Sequence, residues 1–380
     1  MKIAVFSDTF TPQVNGVAKT LQRLKEYMND HEIECRFFVP EASKEDSAAP
    51  SVNQFTSIPF FLYPECRIAI PNFLQIKKQI EEFQPDLIHI ATPFNIGLAG
   101  RYYGKKLNIP MVASYHTHFD RYLEYYDLQF LSNSIWKYMR WFHQPFIKTF
   151  VPSQETKYEL MRKGFSNLHL WRRGVDATIF HPRYPQDRMR ARYEIESDYV
   201  LTYVGRLAPE KDLDVLMEIA YQLPDPIKNK VHWLIVGDGP LKEELQQTKT
   251  TNMTFTGYLE SDRLAEVYSG SDLLVFPSKT ETFGNVVLES FACDTPVIGA
   301  HAGGVKEIIS HEQNGILCPP GQTDTFIEAI VNLLCDNDSL RMYGTRARTY
   351  AQSQSWEKIF DQLMDDYQDA IYEQQGQRYA

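Results

Sequence analysis

Four side chains in the second half of the sequence have the types and spacing to handle a charged, hydroxyl-bearing ligand. Glu281 and Glu289 stand eight residues apart in Lys-Thr-Glu-Thr-Phe-Gly-Asn-Val-Val-Leu-Glu, residues 279–289. Arg206 and Lys211 stand in Val-Gly-Arg-Leu-Ala-Pro-Glu-Lys, residues 204–211. An acid before a helix N-terminus and an acid on that helix can hold hydroxyls on either side of a bound phosphate, because the first N–H groups of a helix form an anion site. The two cations read either as a solvated loop with an ordinary ion pair to Glu210 or, as a guanidinium fork and a mobile ammonium, as groups that can neutralise negative charge on a bound anion. That is the task a divalent metal held by clustered acids performs elsewhere, and no Asp-x-Asp stands in a loop suited to it.

The elements around these residues must place them at one edge of a sheet. Leu273–Phe276 is an apolar run ending near Pro277, which predicts a buried strand. Beyond Gly284, Val286, Val287, Ser290, Phe291 and Cys293 recur at helical spacing up to Asp294-Thr295-Pro296. Glu281 is therefore expected in a strand-to-helix loop and Glu289 on the helix. Arg206 is expected just past the strand Tyr199–Val204, with Lys211 opening the next helix. All four then lie at carboxyl ends of strands, where open α/β sheets bind ligands.

In the first half, a strand over Lys2–Ser7, a polar loop ending at Gly16 and a helix over Val17–Met28 form the first unit of a doubly wound fold. Gly16 either permits close approach of the backbone to a phosphate or merely makes the turn; the dinucleotide fingerprint Gly-x-Gly-x-x-Gly is absent there. Further strands are expected at Ile33–Val39, Asp86–Ile90 and Met111–Tyr115, with helices at Asn72–Phe83 and Gly97–Leu107 and a surface loop at Glu41–Asn53. His116 and His118 follow the third of those strands; with no third ligand in view they argue against a metal site, and loop histidines held by hydrogen bonds are the competing reading. Tyr122–Trp141 interleaves seven aromatic residues with Arg121, Lys137 and Arg140, and Phe55–Ile70 is similar. Such stretches suit an acceptor pocket or a lipid headgroup surface, although core packing accounts for most of these side chains. In the second half, strands are expected at Val231–Val236, Met253–Phe255 and Pro296–Gly299, and helices at Thr323–Leu334, Ser339–Ala351 and Ser355–Tyr372.

The chain of 380 residues is long enough for two cores. Its five scattered cysteines lack metal-ligand spacing and imply buried thiols in a reducing cytoplasm. No apolar run reaches the roughly 20 residues that span a bilayer, and Met1 leads straight into a strand, which predicts no signal peptide. A net charge of −10 argues against nucleic acid as a partner. The charge is uneven: residues 1–183 carry +4 and residues 184–380 carry −14. A mildly basic first half is compatible with an anionic membrane face, as is simple drift in surface composition.

With these residues in order, the sequence resembles the retaining nucleotide-sugar glycosyltransferases of the GT4 type. Glu281-x7-Glu289 resembles their signature, and Val204–Lys211 their phosphate motif. Val236-Gly-Asp-Gly-Pro240, Thr256-Gly257-Tyr258 and Ala302-Gly-Gly304 resemble their later turns. Ser114-Tyr-His-Thr-His118 and Leu170-Trp-Arg-Arg-Gly-Val-Asp176 are similar to the sulfolipid-synthase-like and lipid mannosyltransferase-like branch. The resemblance implies an α/β GT-B fold: two Rossmann-like doubly wound domains facing across a cleft. Residues 1–183 would take the acceptor side, residues 184–354 the nucleotide sugar, and residues 355–380 a helix crossing back to the first domain. It implies that Arg206 and Lys211 meet the diphosphate, Glu289 the ribose, Glu281 the transferred sugar with Phe283, Gly284 and Asn285 nearby, and Tyr258 the base. Gly16 would approach the donor, His116 would lie near its sugar, and Asp120 and Tyr122 would face the acceptor. The activity implied is metal-independent, cofactor-free transfer of a hexose from a UDP- or GDP-sugar to an acceptor hydroxyl. A membrane lipid such as diacylglycerol or a glycolipid is the expected acceptor, and a cytoplasmic enzyme peripheral on the inner membrane face the expected setting. Competing functions are transfer to a soluble or glycan acceptor, a nucleotide-sugar epimerase of the same architecture, and a non-catalytic sugar-nucleotide-binding protein.

Overall fold

The structure, a computed structural model, describes residues 1–13, 15–41, 51–60, 63–116 and 129–379. The chain divides into two compact units: Met1–Asp120, Phe130–Arg172 and Glu357–Ala380 in one, Arg173–Trp356 in the other.

The first unit is built on a seven-stranded sheet, entirely parallel, in the order β3-β2-β1-β6-β7-β8-β9. Its strands are β1 (Lys2–Phe6), β2 (Glu34–Pro40), β3 (Val52–Phe55), β6 (Leu87–Ile90), β7 (Met111–Ser114), β8 (Lys148–Val151) and β9 (Leu168–Leu170). The central strands β1, β6 and β7 are almost wholly buried, as a parallel sheet covered on both faces requires. Asn15 caps the helix Gly16–Asp30 by accepting the Ala18 N–H at 2.9 Å. The surface loop expected over Glu41–Asn53 ends early, because Val52 joins the edge strand β3 in register with Phe37; residues 42–50 lie outside the described residues. The aromatic stretch after Phe55 forms an antiparallel hairpin, β4 (Ser57–Phe60) with β5 (Tyr63–Ala69).

The second unit carries a six-stranded parallel sheet in the order β12-β11-β10-β13-β14-β15. Its strands are β10 (Tyr199–Val204), β11 (Val231–Val236), β12 (Met253–Gly257), β13 (Leu273–Phe276), β14 (Val297–Ala300) and β15 (Gly315–Cys318). Strand β15 is not anticipated by the sequence pattern. It is four residues long, only half apolar and half-buried, and it exists because β14 offers a free edge. Trp233, Tyr203, Tyr268, Phe276 and Phe291 fill the core.

The last helix, Trp356–Tyr379, packs on the first unit's sheet. Tyr367 is fully buried and its hydroxyl meets His89 Nδ1 at 2.5 Å, while His89 Nε2 meets Ser114 Oγ at 2.6 Å. Lys148 Nζ donates to Asp366 Oδ1 at 2.7 Å, and Tyr27 Oη to Asp361 Oδ1 at 2.5 Å. Among the described cysteines Cys35, Cys293 and Cys318 are buried; Cys335 is exposed at the end of its helix, against expectation.

Candidate active site

Two loops of the second unit meet at the carboxyl ends of β10 and β13. The first, after Val204, runs through Gly205 and Arg206 into a short 3-10 turn, Pro209–Lys211, and then the helix Leu213–Gln222. Lys211 thus closes that turn instead of opening the helix, because Asp212 takes a left-handed conformation (φ 50°) between them. The second loop, after Phe276, reaches Glu281 and then the helix Asn285–Ala292, which Gly284 introduces at φ 106°. That backbone angle favours glycine.

Side chains lock the two loops together. Lys211 Nζ donates to Glu281 Oε1 at 2.5 Å, and Ser278 Oγ reaches the same oxygen at 3.5 Å. Thr280 Oγ1 donates to the Glu210 carbonyl at 2.7 Å. Lys279 gives Asp212 both its backbone N–H and its ammonium, each at 2.9 Å. Arg206 Nη1 donates to Glu210 Oε1 at 3.3 Å. Lys211 and Glu281 are therefore in direct contact, and Arg206 is anchored on a residue that the same second loop holds. Lys211, Glu281 and Arg206 are each mostly, not wholly, buried. A partly desolvated charge pair at a sheet edge acts more strongly than one in bulk water.

The turns named in the sequence form the surroundings. Gly237 and Gly239 lie against the Gly205–Leu207 segment so closely that a Cβ would stand 1.9 Å from the Gly205 oxygen and 2.4 Å from the Leu207 oxygen. Gly303 and Gly304 lie against the Glu281 loop: a Cβ on Gly303 would stand 2.2 Å from the Glu281 oxygen, and Gly304 N–H donates to that oxygen at 2.9 Å. The backbone of Glu281 is thus held by a third loop, the one after β14. Phe283 and Gly284 are buried, and Asn285 Oδ1, at the helix start, is a buried acceptor with no partner among the described residues.

Glu289 and Tyr258 are held by other elements of the same unit. Glu289 Oε2 accepts from Tyr268 Oη at 3.2 Å. Tyr258 follows β12 and is about half exposed, at 48%. Gly16 and His116 belong to the first unit: Gly16 opens an exposed helix start, and the His116 ring lies 5.6 Å from that of Trp171. Asp120, Tyr122 and His118 lie outside the described residues.

The ion pair with Glu210 is the one the sequence offers as the competing reading of that loop, while Tyr203 and, in the first unit, Asp8 are not singled out by it. Glu210 is buried and anchors Arg206. Tyr203 is buried beneath the cluster; burial, and then the charges of Glu281, Glu210 and Asp212, push its phenol well above the ordinary range, so it stays a neutral donor, to the Arg206 carbonyl at 3.3 Å. Asp8, in the first unit, accepts from Ile96 N–H at 2.8 Å and from Thr92 Oγ1 at 2.7 Å, and burial pushes its carboxyl up to about 6. Tyr203 and Glu210 meet Arg206 from three and four residues away, whereas the partners of Asp8 come from distant sequence. Among the described residues, one group of three has metal-ligand geometry: His31, Glu357 and Asp361, exposed on the first unit and apart from this cluster.

Comparison with known proteins places the chain. Residues 185–350 match the model for glycosyl transferases group 1, and residues 14–179 the model for glycosyltransferase family 4. The chain is 28% identical over 375 residues to a GDP-mannose-dependent alpha-mannosyltransferase of Mycobacterium tuberculosis, covering 97% of this chain and 96% of that protein. It is 32% identical over 327 residues to a sulfoquinovosyl transferase of Arabidopsis thaliana, covering 83% of this chain and 63% of that one. It is 29% identical over 338 residues to an alpha-monoglucosyldiacylglycerol synthase of Streptococcus pneumoniae, covering 83% and 75%. Sucrose-phosphate synthase from Thermosynechococcus elongatus shares the fold, with a TM-score of 0.83 at 21% identity over 98% of this chain and 99% of that one. Two Rossmann-like units of this kind, with both family models matched in order, mean that the chain belongs to the GT4-type glycosyltransferases of the GT-B fold and is a sugar-transferring enzyme.

Proposed function

We propose that the protein transfers a hexose, with retention of anomeric configuration and without a metal, from a UDP- or GDP-sugar to a hydroxyl of a membrane lipid. The contact of Lys211 with Glu281 carries this reading. It sets a cation and an acid on adjoining strand ends, beside Arg206. The cation pair Arg206 and Lys211 meets the diphosphate and offsets the charge it gains as the anomeric bond breaks. Glu281 receives hydroxyls of the transferred sugar, with Phe283, Gly284 and Asn285 beside it, and Glu289 receives the ribose. Tyr258 borders the base. In the first unit, Gly16 and His116 border the donor, and Asp120 and Tyr122 serve the acceptor. The acceptor hydroxyl attacks the face the nucleotide leaves, and the departing phosphate oxygen takes its proton. Residues 184–354 thus serve the donor and residues 1–183 the acceptor.

A lipid acceptor is favoured because one relative is named for a diacylglycerol glycolipid and because the first half is the basic half. No helix among the described residues is long and apolar enough to cross a membrane; attachment at the cytoplasmic face is part of the proposal. The test is thermal unfolding with UDP-, GDP- and ADP-sugars in the presence of a chelator, followed by analysis of the product anomer. One nucleotide sugar should stabilise the fold by mass action and yield a product of unchanged configuration. An inverted product, or turnover only after a divalent metal is restored, would overturn the mechanism.

A further inference from the structure

The helices Asn95–Leu107 and Ser132–His143 of the first unit have a one-sided charge. Arg101, Lys105 and Lys106 on one, and Lys137 and Arg140 on the other, are joined by no acidic residue on either helix. In a chain of net charge −10, this is a local reversal of sign. Large apolar side chains accompany it at the surface. Leu98, Arg101, Tyr102, Lys105, Lys106 and Trp141 line a shallow open hollow of about 520 Å³. Trp141 is 47% exposed and Tyr102 50%, and Phe73, itself 47% exposed, meets Tyr102 edge-on with ring centroids 6.2 Å apart. Leu74, next in sequence, is 81% exposed.

We propose that this face seats the first unit on a bilayer containing anionic lipid. Aromatic rings with polar edges partition to the headgroup boundary, while lysines reach phosphates above it. The Arg101 guanidinium lies 3.9 Å from the Trp141 ring centre and donates to the Phe142 and Trp141 carbonyls. It is thereby a fixed plate holding the indole at the surface, not a group waiting for a small anion. The hollow's floor, Leu98 and Trp141, is apolar, which suits acyl chain and headgroup glycerol rather than free phosphate. A second copy of the same face would set the three cations of the hollow, Arg101, Lys105 and Lys106, against themselves. The proposal deepens the lipid-acceptor reading and rests on it: it names the surface by which the first unit is held at the membrane that contains the acceptor.

The experiment is co-sedimentation with vesicles of phosphatidylcholine alone, or of phosphatidylcholine mixed with phosphatidylglycerol, at low salt. The full chain is compared with Lys105→Gln/Lys106→Gln and with Tyr102→Ala/Trp141→Ala. The wild type should pellet with the anionic vesicles and far less with the neutral ones. Loss of the two lysines should weaken partitioning to the anionic vesicles about 30-fold, and loss of the two rings should weaken it on both kinds of vesicle. Stabilisation of each variant by the nucleotide sugar reports that its donor unit is intact. Equal pelleting on neutral vesicles, variants that pellet like the wild type, or a dimer in light scattering that the substitutions abolish would each overturn the proposal. Vesicle binding without transfer would sink the glycolipid reading and leave the surface; transfer to dispersed acceptor without vesicle binding would do the reverse.

Discussion

Replacing Lys211 with alanine removes the ammonium that meets Glu281 Oε1 at 2.5 Å. Two effects follow, of different size. The resting protein loses one ion pair whose partners are each less than a fifth exposed. Glu281 keeps its contact with Ser278 and regains water, so unfolding free energy should fall by about 1 kcal/mol. The transition state for transfer loses a charge contact to the departing diphosphate, worth about 3 kcal/mol when one preorganised donor is removed. That corresponds to at least about 10²-fold in kcat/KM. Glu281→Ala and Arg206→Ala should lose transfer on the same scale. Because Lys211 and Glu281 touch, the double variant should fall well short of the product of the single losses. The assay is steady-state release of nucleoside diphosphate with a competent acceptor, alongside urea unfolding of each variant. Activity within about threefold of wild type for Lys211→Ala, at unchanged stability, would show that the diphosphate lies elsewhere and refute the site assignment.

Two further outcomes follow from the packing. Gly303→Ala puts a methyl 2.2 Å from the Glu281 carbonyl oxygen at φ 52°; it should cost about 2–4 kcal/mol in urea unfolding and lower transfer more than tenfold by displacing Glu281, roughly what misplacement of a positioned group costs, and a silent substitution would mean that this loop does not hold the acid. His143 is buried among Phe142, Phe146, Phe165 and Tyr115, and desolvation pushes its imidazole down to about 3. The unfolded chain therefore binds a proton between about pH 6.5 and 3 that the folded one refuses, so stability present above pH 6.5 is lost as pH falls. His143→Phe should remove that loss and stabilise by about 2 kcal/mol more at pH 5 than at pH 8. Asp8, pushed up to about 6, acts in the opposite direction: its contribution is full below its unfolded value and lost as pH rises through 6. The difference between variant and wild type in urea titrations at the two pH values, not either slope alone, is the measurement; an equal difference at both would contradict the assignment.

The alternation of apolar runs and periodic helices was enough to read two doubly wound units, because parallel strands buried on both faces leave unbroken hydrophobic stretches such as Tyr199–Val204 and Val231–Val236. It also placed Glu281 in a loop and Glu289 on the helix after it, since Gly284 and the periodicity beyond it mark the switch. The edge strands β3 and β15 were not legible: four residues at a sheet margin carry too little pattern, and their pairing depends on β2 and β14. The aromatic-basic stretch could not be divided by sequence into core and surface. Trp136 is buried and Trp141 exposed, five residues apart on one helix, because only the packing of that helix decides which face meets the sheet. The same holds at the site. Residue types announced two cations and two acids, and the contact of Arg206 with Glu210 is local, four residues apart; that Lys211 pairs with Glu281 across seventy residues follows from β10 and β13 lying side by side, and that Gly303 props the Glu281 backbone follows from β14 lying beside β13. Local sequence sets the chemistry each segment can offer, and the order of strands in the sheet sets which offers meet.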